Sequence, residues 1–384
     1  MNYRKIMKKY RSLGCPEGVF DPTTLPYDRD KYFVICSERS AGKTTNVLLF
    51  GMCANQVDGI QIQYIRQFAP MIERRYLNQL FNTILEYGYV SKVTDGKYNN
   101  LVYKSFGWYY CNYDDDGNIK DLATDPFMKC LSIDQNETYK STYNAPRGDI
   151  LIFDEFISRR TPQDEFVTFC DLVKTIIRGR GELSNGPIIF MLGNTIDRNH
   201  NYFYEMELND VVGSLPLGAH TESITHEGTP IYLDFYSPEK TPEKTRHNKL
   251  YFGFRNKKLG SITGKDWSIT PMPHPRRDDE REILSRRFYI LYEDRLINLE
   301  LCHSPSDGVH VIAHFATKDI KPDSIIYSTG LMLDWRYRYK FGHTPADRWI
   351  WTLYERKKFF YTSNAVGAVV DKYYQTAKEY RRLY

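Results

Sequence analysis

The chain has 384 residues, enough for two or three globular domains with hydrophobic cores, which excludes a short structural module. Its formal net charge of +4 excludes a histone-like coat, because any bound polyanion would have to be held by local basic patches. Hydrophobic residues make up 41 % and charged residues 26 % of the chain, which excludes a mostly disordered protein.

The cysteines and the apolar runs indicate the cellular compartment of the protein. The seven cysteines are scattered and form no CxxC pair, which favours reduced thiols. The basic segment MNYRKIMKKYRSLG lacks the apolar core of a secretory signal, and no apolar run approaches about 18 residues. We therefore expect a soluble protein in the cytoplasm.

The first predicted elements form an α/β unit. A buried strand begins at Tyr32 (YFVIC), followed by the loop SERSAGKT and by TNVLLFGMCANQ, whose apolar spacing predicts a helix. A second strand is predicted over 60–66 and an amphipathic helix over 71–89. Residues 90–148 alternate in polarity and contain the turn signal DDDGN, so they predict hairpins.

Strands and helices alternate again from residue 149. The pattern predicts a strand over 149–156, a helix over 164–180 and a strand over 187–195. Because these strands are apolar throughout and are separated by helices, they indicate a parallel sheet.

The composition changes after about residue 198. The Pro-rich stretches 237–249 and 271–282 are typical of connectors. Beyond them, RRFYILYEDRLINLEL and GVHVIAHF predict a β-meander and VGAVVDKYYQTAKEYRRL predicts a closing helix. A smaller α+β domain is therefore expected over about 280–384.

The strongest motif is SERSAGKT, residues 37–44, which fits the phosphate-binding loop GxxxxGK[ST] except that Ser37 replaces the first glycine. In such a loop, Gly42 permits close approach of the backbone to the phosphates, Lys43 supplies positive charge and the Thr44 hydroxyl binds Mg²⁺. The predicted nucleotide-binding residues are Ser37, Glu38, Arg39, Ser40, Ala41, Gly42, Lys43, Thr44 and Thr45.

A second motif, ILIFDE over 150–155, ends an apolar strand with two carboxylates. Asp154 is expected to hold the Mg²⁺ shell, while Glu155 orients and deprotonates the attacking water. A strand that ends in solvated acids is the alternative interpretation, but it does not explain the pairing with SERSAGKT upstream.

Two further segments carry candidate residues. TIIRGRGE places Arg178 and Arg180 at the end of a predicted helix, where an arginine can reach the phosphates of a neighbouring subunit or simply favour the helix dipole. MLGNT places Asn194 at a strand end, where it could sense the γ-phosphate. The basic aromatic stretch 334–358 suits a nucleic-acid surface or the outer face of a half-buried strand pair.

Together, PYDRDKYFVICSERSAGKT, ILIFDEFI, TIIRGRGE and MLGNT resemble the DNA encapsidation protein, or packaging ATPase, of phi29-type small tailed phages. The resemblance continues more faintly to the C-terminus. It implies a RecA-like ASCE P-loop ATPase domain over 1–197, a linker or lid domain over 198–250 and a degenerate RNase H-like nuclease domain over 251–384.

The resemblance also implies roles for single residues. Arg39 would lie near the phosphates, and Arg178 would act as an arginine finger across a subunit boundary. Lys140 resembles a lysine that acts at the subunit interface or on DNA, and we group it with Asn194 and Arg180 as candidate coupling residues.

The expected function is an ATP-driven motor, without nuclease activity, that moves double-stranded DNA through a portal into a procapsid. Expected partners are the DNA, the portal or connector, the procapsid and further copies of the chain in a homopentameric ring; a packaging RNA is a further candidate. The hairpins of 90–148 are candidate pore loops, and the motor would visit the portal vertex from the host cytoplasm. A nuclease-active terminase large subunit and a DNA-binding ATPase switch are the alternatives.

Overall fold

The computed structural model of the protein describes most of the chain, and it divides into two compact units, Met1–Ser268 and Ile269–Tyr384. The described residues are 1–16, 18–28, 31–143, 145, 148–158, 164–178, 187–194, 198, 200–238, 272–276, 280–292, 295–316, 320–330, 334–339 and 344–381. None of the helices within these ranges combines the length and apolar character needed to cross a membrane.

A mixed sheet of ten strands among the described residues forms the centre of the first unit. Its strands are β1 Tyr32–Ser37, β2 Ile62–Arg66, β3 Asn100–Lys104, β4 Gly107–Tyr113, β5 Ile119–Leu122, β6 Met128–Ser132, β7 Ile150–Asp154, β8 Ile188–Asn194, β9 His220–Ile224 and β10 Pro230–Asp234.

The middle of this sheet is parallel, in the order β6-β2-β7-β8-β1-β10. The strand order confirms the predicted parallel sheet and is consistent with the RecA-like sheet that the resemblance implies. β8 lies between β1 and β7, so the strand before SERSAGKT and the strand that ends in the two acids are separated by one strand. Both faces of the sheet are buried, which explains why these strands are apolar along their whole length.

Helices cover both faces of the first sheet. The helix after β1 is confirmed: α2 begins at Lys43 and ends at Asp58, where Gly59 provides a left-handed C-cap. The helices of this unit are α1 Tyr3–Arg11, α2 Lys43–Asp58, α3 Arg74–Leu77, α4 Asn82–Glu86, α5 Tyr89–Val93, α6 Asn136–Thr142, α7 Glu165–Ile177, α8 Asn201–Glu205 and α9 Asn209–Ser214.

The prediction of one continuous helix over 71–89 is wrong. The chain forms short helical pieces there, because the 3₁₀ turns at Ala69–Ile72 and Asn78–Phe81 interrupt it and a left-handed Gly88 separates α4 from α5. The apolar side chains of Leu77, Phe81 and Ile84 are nevertheless buried. The hydrophobic periodicity therefore predicted correctly which side chains are buried, but it did not predict the breaks in the helix.

The hairpins predicted within 90–148 are present. β3 pairs antiparallel with β4 across the turn at Ser105 and Phe106, and β4 pairs antiparallel with β5 across the turn that ends at Gly117. The segment is more closely joined to the main sheet than predicted. β6 pairs in parallel with β2, and Trp108 of β4 packs against Phe81 at a ring-centroid distance of 4.5 Å.

The domain boundaries predicted at residues 197 and 250 differ from the boundary between the two compact units, which follows Ser268. β10 pairs in parallel with β1, and β9 pairs with β10, so the range predicted as a lid includes two strands of the first sheet. The buried side chains of Ile231 and Leu233 extend the core, which explains why the change in composition at 198 does not end the domain. The connector 237–249 lies almost entirely outside the described residues.

The second unit contains a mixed sheet of six strands in the described ranges, ordered β15-β14-β11-β12-β13-β16. Two helices pack on it, and α11 contributes the buried residues Val366, Val369, Val370 and Tyr373. Both the β-meander, β11 to β13, and the closing helix are confirmed. The elements are β11 Glu282–Tyr292, β12 Arg295–Ser304, β13 Gly308–Phe315, β14 Ile325–Ser328, β15 Tyr337–Tyr339, α10 Pro345–Glu355, β16 Phe359–Tyr361 and α11 Asn364–Arg381.

Candidate active site

A cavity of about 580 Å³ lies where the carboxyl ends of β1, β7 and β8 meet in the first unit. Parallel strands bring residues that are distant in the chain to one edge of the sheet. The cavity collects most of the residues predicted from the motifs: Arg39, Ser40, Ala41, Gly42, Lys43, Thr44, Thr45, Asp154, Glu155 and Asn194.

The loop after β1 has the backbone geometry of an anion-binding turn. Gly42 has a φ of 77°, and a Cβ atom at this position would lie 2.9 Å from the Cβ of Val19, so a larger residue would be strained and crowded. Ser40 also has a positive φ of 63°. The turn leads directly into α2, whose first N–H groups lack partners within the helix and are available to an anion.

Ser37, which replaces the first glycine of the pattern, is buried beneath the loop. Its hydroxyl lies 2.6 Å from the Nζ of Lys43, which donates a hydrogen bond to it, and 2.9 Å from the carbonyl oxygen of Glu38. Lys43 Nζ also donates to the carbonyl oxygens of Ser37 and Glu38, at 3.4 and 3.3 Å. The serine therefore provides an acceptor that holds the lysine against the loop.

Lys43 is a buried cation, with only 6 % of its surface exposed. Burial lowers its pKa to about 8, although the nearby carboxylates of Asp154, Glu38 and Glu155 oppose that change. An anionic ligand in the cavity would favour the charged form of the lysine further.

Thr44 and Asp154 are 110 residues apart in sequence, but their side chains are in direct contact. Thr44 Oγ1 donates a hydrogen bond to Asp154 Oδ1 at 3.0 Å, and the Tyr64 hydroxyl donates to Asp154 Oδ2 at 2.7 Å. A hydroxyl oxygen and a carboxylate oxygen are the hard ligands that Mg²⁺ prefers in proteins. These two residues therefore fit the predicted magnesium site.

Glu155 follows β7 in a conformation that is uncommon for a residue with a side chain. Its φ is 56°, and its backbone N–H donates to Asp154 Oδ1 at 3.1 Å. The next residue, Phe156, donates its N–H to the carbonyl oxygen of Leu192 on β8. The turn leaves the Glu155 side chain half-exposed at the cavity. Backbone strain of this kind is frequent at functional sites.

Arg66, at the end of β2, is a site residue that the motif analysis missed. Its Nη1 donates to Asp154 Oδ2 at 3.0 Å, and its Nη2 donates to Glu155 Oε2 at 2.5 Å. One guanidinium group thus neutralises both acids. Arg66 closes the predicted strand IQIQYIR, but the sequence contains no signal that this strand lies beside β7.

Two candidate residues lie away from the cavity. Arg178 is the C-cap of α7 and is exposed, and it is not among the described residues that line the cavity of its own chain. Lys140, in α6, forms ion pairs with Asp171 of α7 at 2.9 Å and with Glu137 at 2.5 Å. Arg180 lies outside the described residues.

Comparison with known proteins supports the fold. No protein-family model matches the sequence, and no curated protein matches it. Two solved structures are similar over nearly the whole chain. The Phi-28 gp11 DNA packaging motor is 14 % identical with a TM-score of 0.61, and the match covers 94 % of this chain and 98 % of that chain.

The second structure is the bacteriophage Phi-29 viral genome packaging motor assembly, which is 15 % identical with a TM-score of 0.63. That match covers 94 % of this chain and 99 % of the other chain. At these identities the likeness concerns the fold, and at that level it confirms the resemblance to phi29-type packaging proteins.

Proposed function

We propose that the chain is an ATP-hydrolysing motor that moves viral double-stranded DNA into a preformed procapsid through a portal. The observation that carries this proposal is the contact of Thr44 with Asp154 in a cavity that also contains Lys43 and Glu155. A phosphate-binding loop, a divalent-cation site and a carboxylate positioned for water are the groups that nucleotide hydrolysis requires.

Each group has a separate task in the proposed reaction. Lys43 and the first N–H groups of α2 bind the phosphates, and Thr44 and Asp154 would hold Mg²⁺. When bound, the ion would supply positive charge that offsets the charge developing on the phosphates. Glu155 orients a water molecule and accepts its proton, for which Arg66 must release the carboxylate. Arg39, which lines the cavity, adds positive charge near the phosphates.

The proposal includes a homo-oligomeric ring, a pentamer by resemblance, in which Arg178 of one subunit completes the site of the next. This role is supported by the exposure of Arg178 outside its own cavity. Asn194 lines the cavity and is the proposed γ-phosphate sensor. Lys140 and Arg180 are proposed to couple hydrolysis to the subunit interface or DNA. Hydrolysis would then move DNA by changing interface contacts.

We also propose that the second unit is an RNase H-like domain without nuclease activity. The RNase H-like proposal is supported by the strand order β13-β12-β11-β14-β15, an antiparallel meander followed by two parallel strands.

The proposed partners are double-stranded DNA, the portal and procapsid, with a packaging RNA as a further candidate, and the proposed place of action is the portal vertex in the host cytoplasm. The two structural neighbours support this choice because both are DNA or genome packaging motors. The antiparallel hairpins within 90–148, β3-β4 and β4-β5, remain the proposed pore elements.

ATP hydrolysis measured with the full chain, alone and with double-stranded DNA and procapsids, tests the function. We expect Mg²⁺-dependent hydrolysis that both additions stimulate, since a translocating motor couples turnover to both. Hydrolysis without stimulation would instead identify an ATPase switch. Metal-dependent cleavage of plasmid DNA by the full chain would identify a nuclease-active terminase. No hydrolysis under any condition would overturn the enzymatic proposal.

A further inference from the structure

The cavity extends past the phosphate-binding loop to a region that the proposed hydrolysis does not use. Apolar and aromatic residues and one threonine, from two separate parts of the first unit, line this region, and we call them the aromatic wall. Its members are Pro16, Val19, Thr83, Tyr87 and Tyr89, all lining the same cavity as Lys43.

The turn between α4 and α5 presents the two tyrosines. Gly88 adopts a φ of 65°, which a residue with a side chain rarely does, and the rings of Tyr87 and Tyr89 lie 6.1 Å apart at an angle of 33°. Tyr89 is only 3 % exposed, whereas Tyr87 is 57 % exposed. The buried ring thus anchors the turn, and the neighbouring ring remains accessible from the cavity.

The apolar part of the wall is fixed to the phosphate-binding loop. The Phe20 N–H donates to the carbonyl oxygen of Ala41 at 3.0 Å, and the Asn46 side-chain amide donates to the carbonyl oxygen of Phe20 at 2.8 Å. These bonds hold Val19 beside Gly42. Phosphate loop and aromatic wall are therefore parts of one preformed cavity, which suits a ligand with an anionic end and a flat apolar end.

We propose that Tyr87 stacks on the base of the bound nucleotide and that the aromatic wall selects purine over pyrimidine nucleotides. This inference rests on the proposed function. Every base offers a π-face to an aromatic side chain, and the larger purine ring buries more surface against Tyr87, Pro16 and Val19 than a pyrimidine does. Tyr87 is thus a specificity-determining residue that acts on binding and not on the chemical step.

Equilibrium binding of Mg·ATP, Mg·CTP and tripolyphosphate to the full chain and its Tyr87→Ala variant tests this inference. The variant should bind ATP about tenfold more weakly, because it loses one stacking partner. Binding of tripolyphosphate should stay within about twofold, since that ligand has no base, and the preference for ATP over CTP should shrink. Tyr87→Phe should restore ATP binding because it keeps the ring.

Tyr76→Ala is the matched control. Tyr76 lies in the same helical region and is 53 % exposed, but it is not among the described residues that line the cavity. This variant should bind all three ligands like the parent chain.

The inference is overturned if Tyr87→Ala binds ATP within twofold of the parent, or if ATP and tripolyphosphate weaken equally. Neither result affects the proposed binding of phosphates by the loop, which Lys43→Ala tests by itself through loss of binding of both ligands. A parent chain that binds no nucleotide would overturn the proposed function together with this inference.

Discussion

One buried acid in each compact unit shows how the surroundings of such acids differ. In the first unit, Asp154 borders a cavity. It accepts a hydrogen bond from the buried Tyr64 hydroxyl, but its other partners, Thr44 and Arg66, are side chains that a cation or nucleotide could replace. In the second unit, Asp347 is 1 % exposed and accepts hydrogen bonds from the Tyr327 hydroxyl and from the backbone and hydroxyl of Thr344.

Asp371, also in the second unit, has surroundings similar to those of Asp347. Its carboxylate accepts a hydrogen bond from the Tyr354 hydroxyl at 2.8 Å, and burial raises its pKa. Burial of an acid is therefore not enough to mark a functional site. An acid indicates chemistry when it borders a cavity beside exchangeable partners, and it indicates folding when it lies away from the cavity and caps and tyrosines satisfy all of its contacts.

The largest effect is expected for Glu155→Gln, which removes the proposed base but keeps the shape of the side chain. Turnover of ATP should fall by about 10³-fold or more, while the dissociation constant for ATP changes little. Steady-state hydrolysis and equilibrium nucleotide binding measure the two effects. Glu227→Gln, on an exposed turn of the same unit, is the control and should hydrolyse ATP normally. Near-normal turnover in Glu155→Gln would remove Glu155 from its role.

Arg66→Ala should cause the largest loss of stability, because it removes the ion-pair partner of the buried Asp154 carboxylate. We expect a loss of about 2 to 4 kcal/mol, the range for breaking a buried ion pair, and a lower midpoint of thermal unfolding. Mg²⁺ should restore part of the midpoint by binding the freed carboxylate. Arg66→Lys keeps the charge and should lose less. An unchanged midpoint in Arg66→Ala would show that the guanidinium does not stabilise the two acids.

Asp347→Ala tests the structural acids of the second unit. The variant loses the capping box of α10 and leaves the buried Tyr327 hydroxyl without its acceptor, at an expected cost of about 1 to 3 kcal/mol. ATP hydrolysis below the unfolding temperature should stay within about twofold of the parent. Asp323→Ala, which removes an exposed ion pair with Arg287, is the control and should change stability little. A selective loss of turnover in Asp347→Ala would show that Asp347 takes part in hydrolysis and not only in folding.

The smallest effect is expected for Asp234→Asn, an acid of the first unit that is not among the described residues lining the cavity. Burial raises the pKa of Asp234 to about 6, while nearby His220 opposes the change. Between about pH 4 and pH 6 the folded chain therefore holds a proton that the unfolded chain has lost, and stability falls as pH rises through this window.

The Asn variant should thus be more stable than the parent at pH 8, by about 1 to 2 kcal/mol, and equally stable at pH 4. Thermal unfolding at the two pH values measures this difference. Asp121→Asn, on the exposed strand β5, should show no such pH dependence. If Asp234→Asn has the same unfolding midpoint as the parent at pH 8, the partly buried carboxylate does not destabilise the folded chain.

Local patterns in the sequence determined much of the molecule. The alternation of apolar strands and helices predicted the parallel sheet, and the residue types of SERSAGKT and ILIFDE predicted the positions of Lys43, Thr44, Asp154 and Glu155 at one edge. These features depend on the periodicity of burial and on short-range backbone geometry, both of which are written in adjacent residues.

Contacts between residues that are distant in the sequence depend on the tertiary structure and could not be predicted from local patterns. Arg66 reaches both acids because β2 lies beside β7, and Val19 reaches the phosphate loop through the bonds of Phe20 to Ala41 and Asn46. The broken helix over 71–89 and the two strands beyond residue 198 have the same cause. Strand neighbours and loop packing are set by long-range burial over the whole core, and no local window of the sequence contains that information.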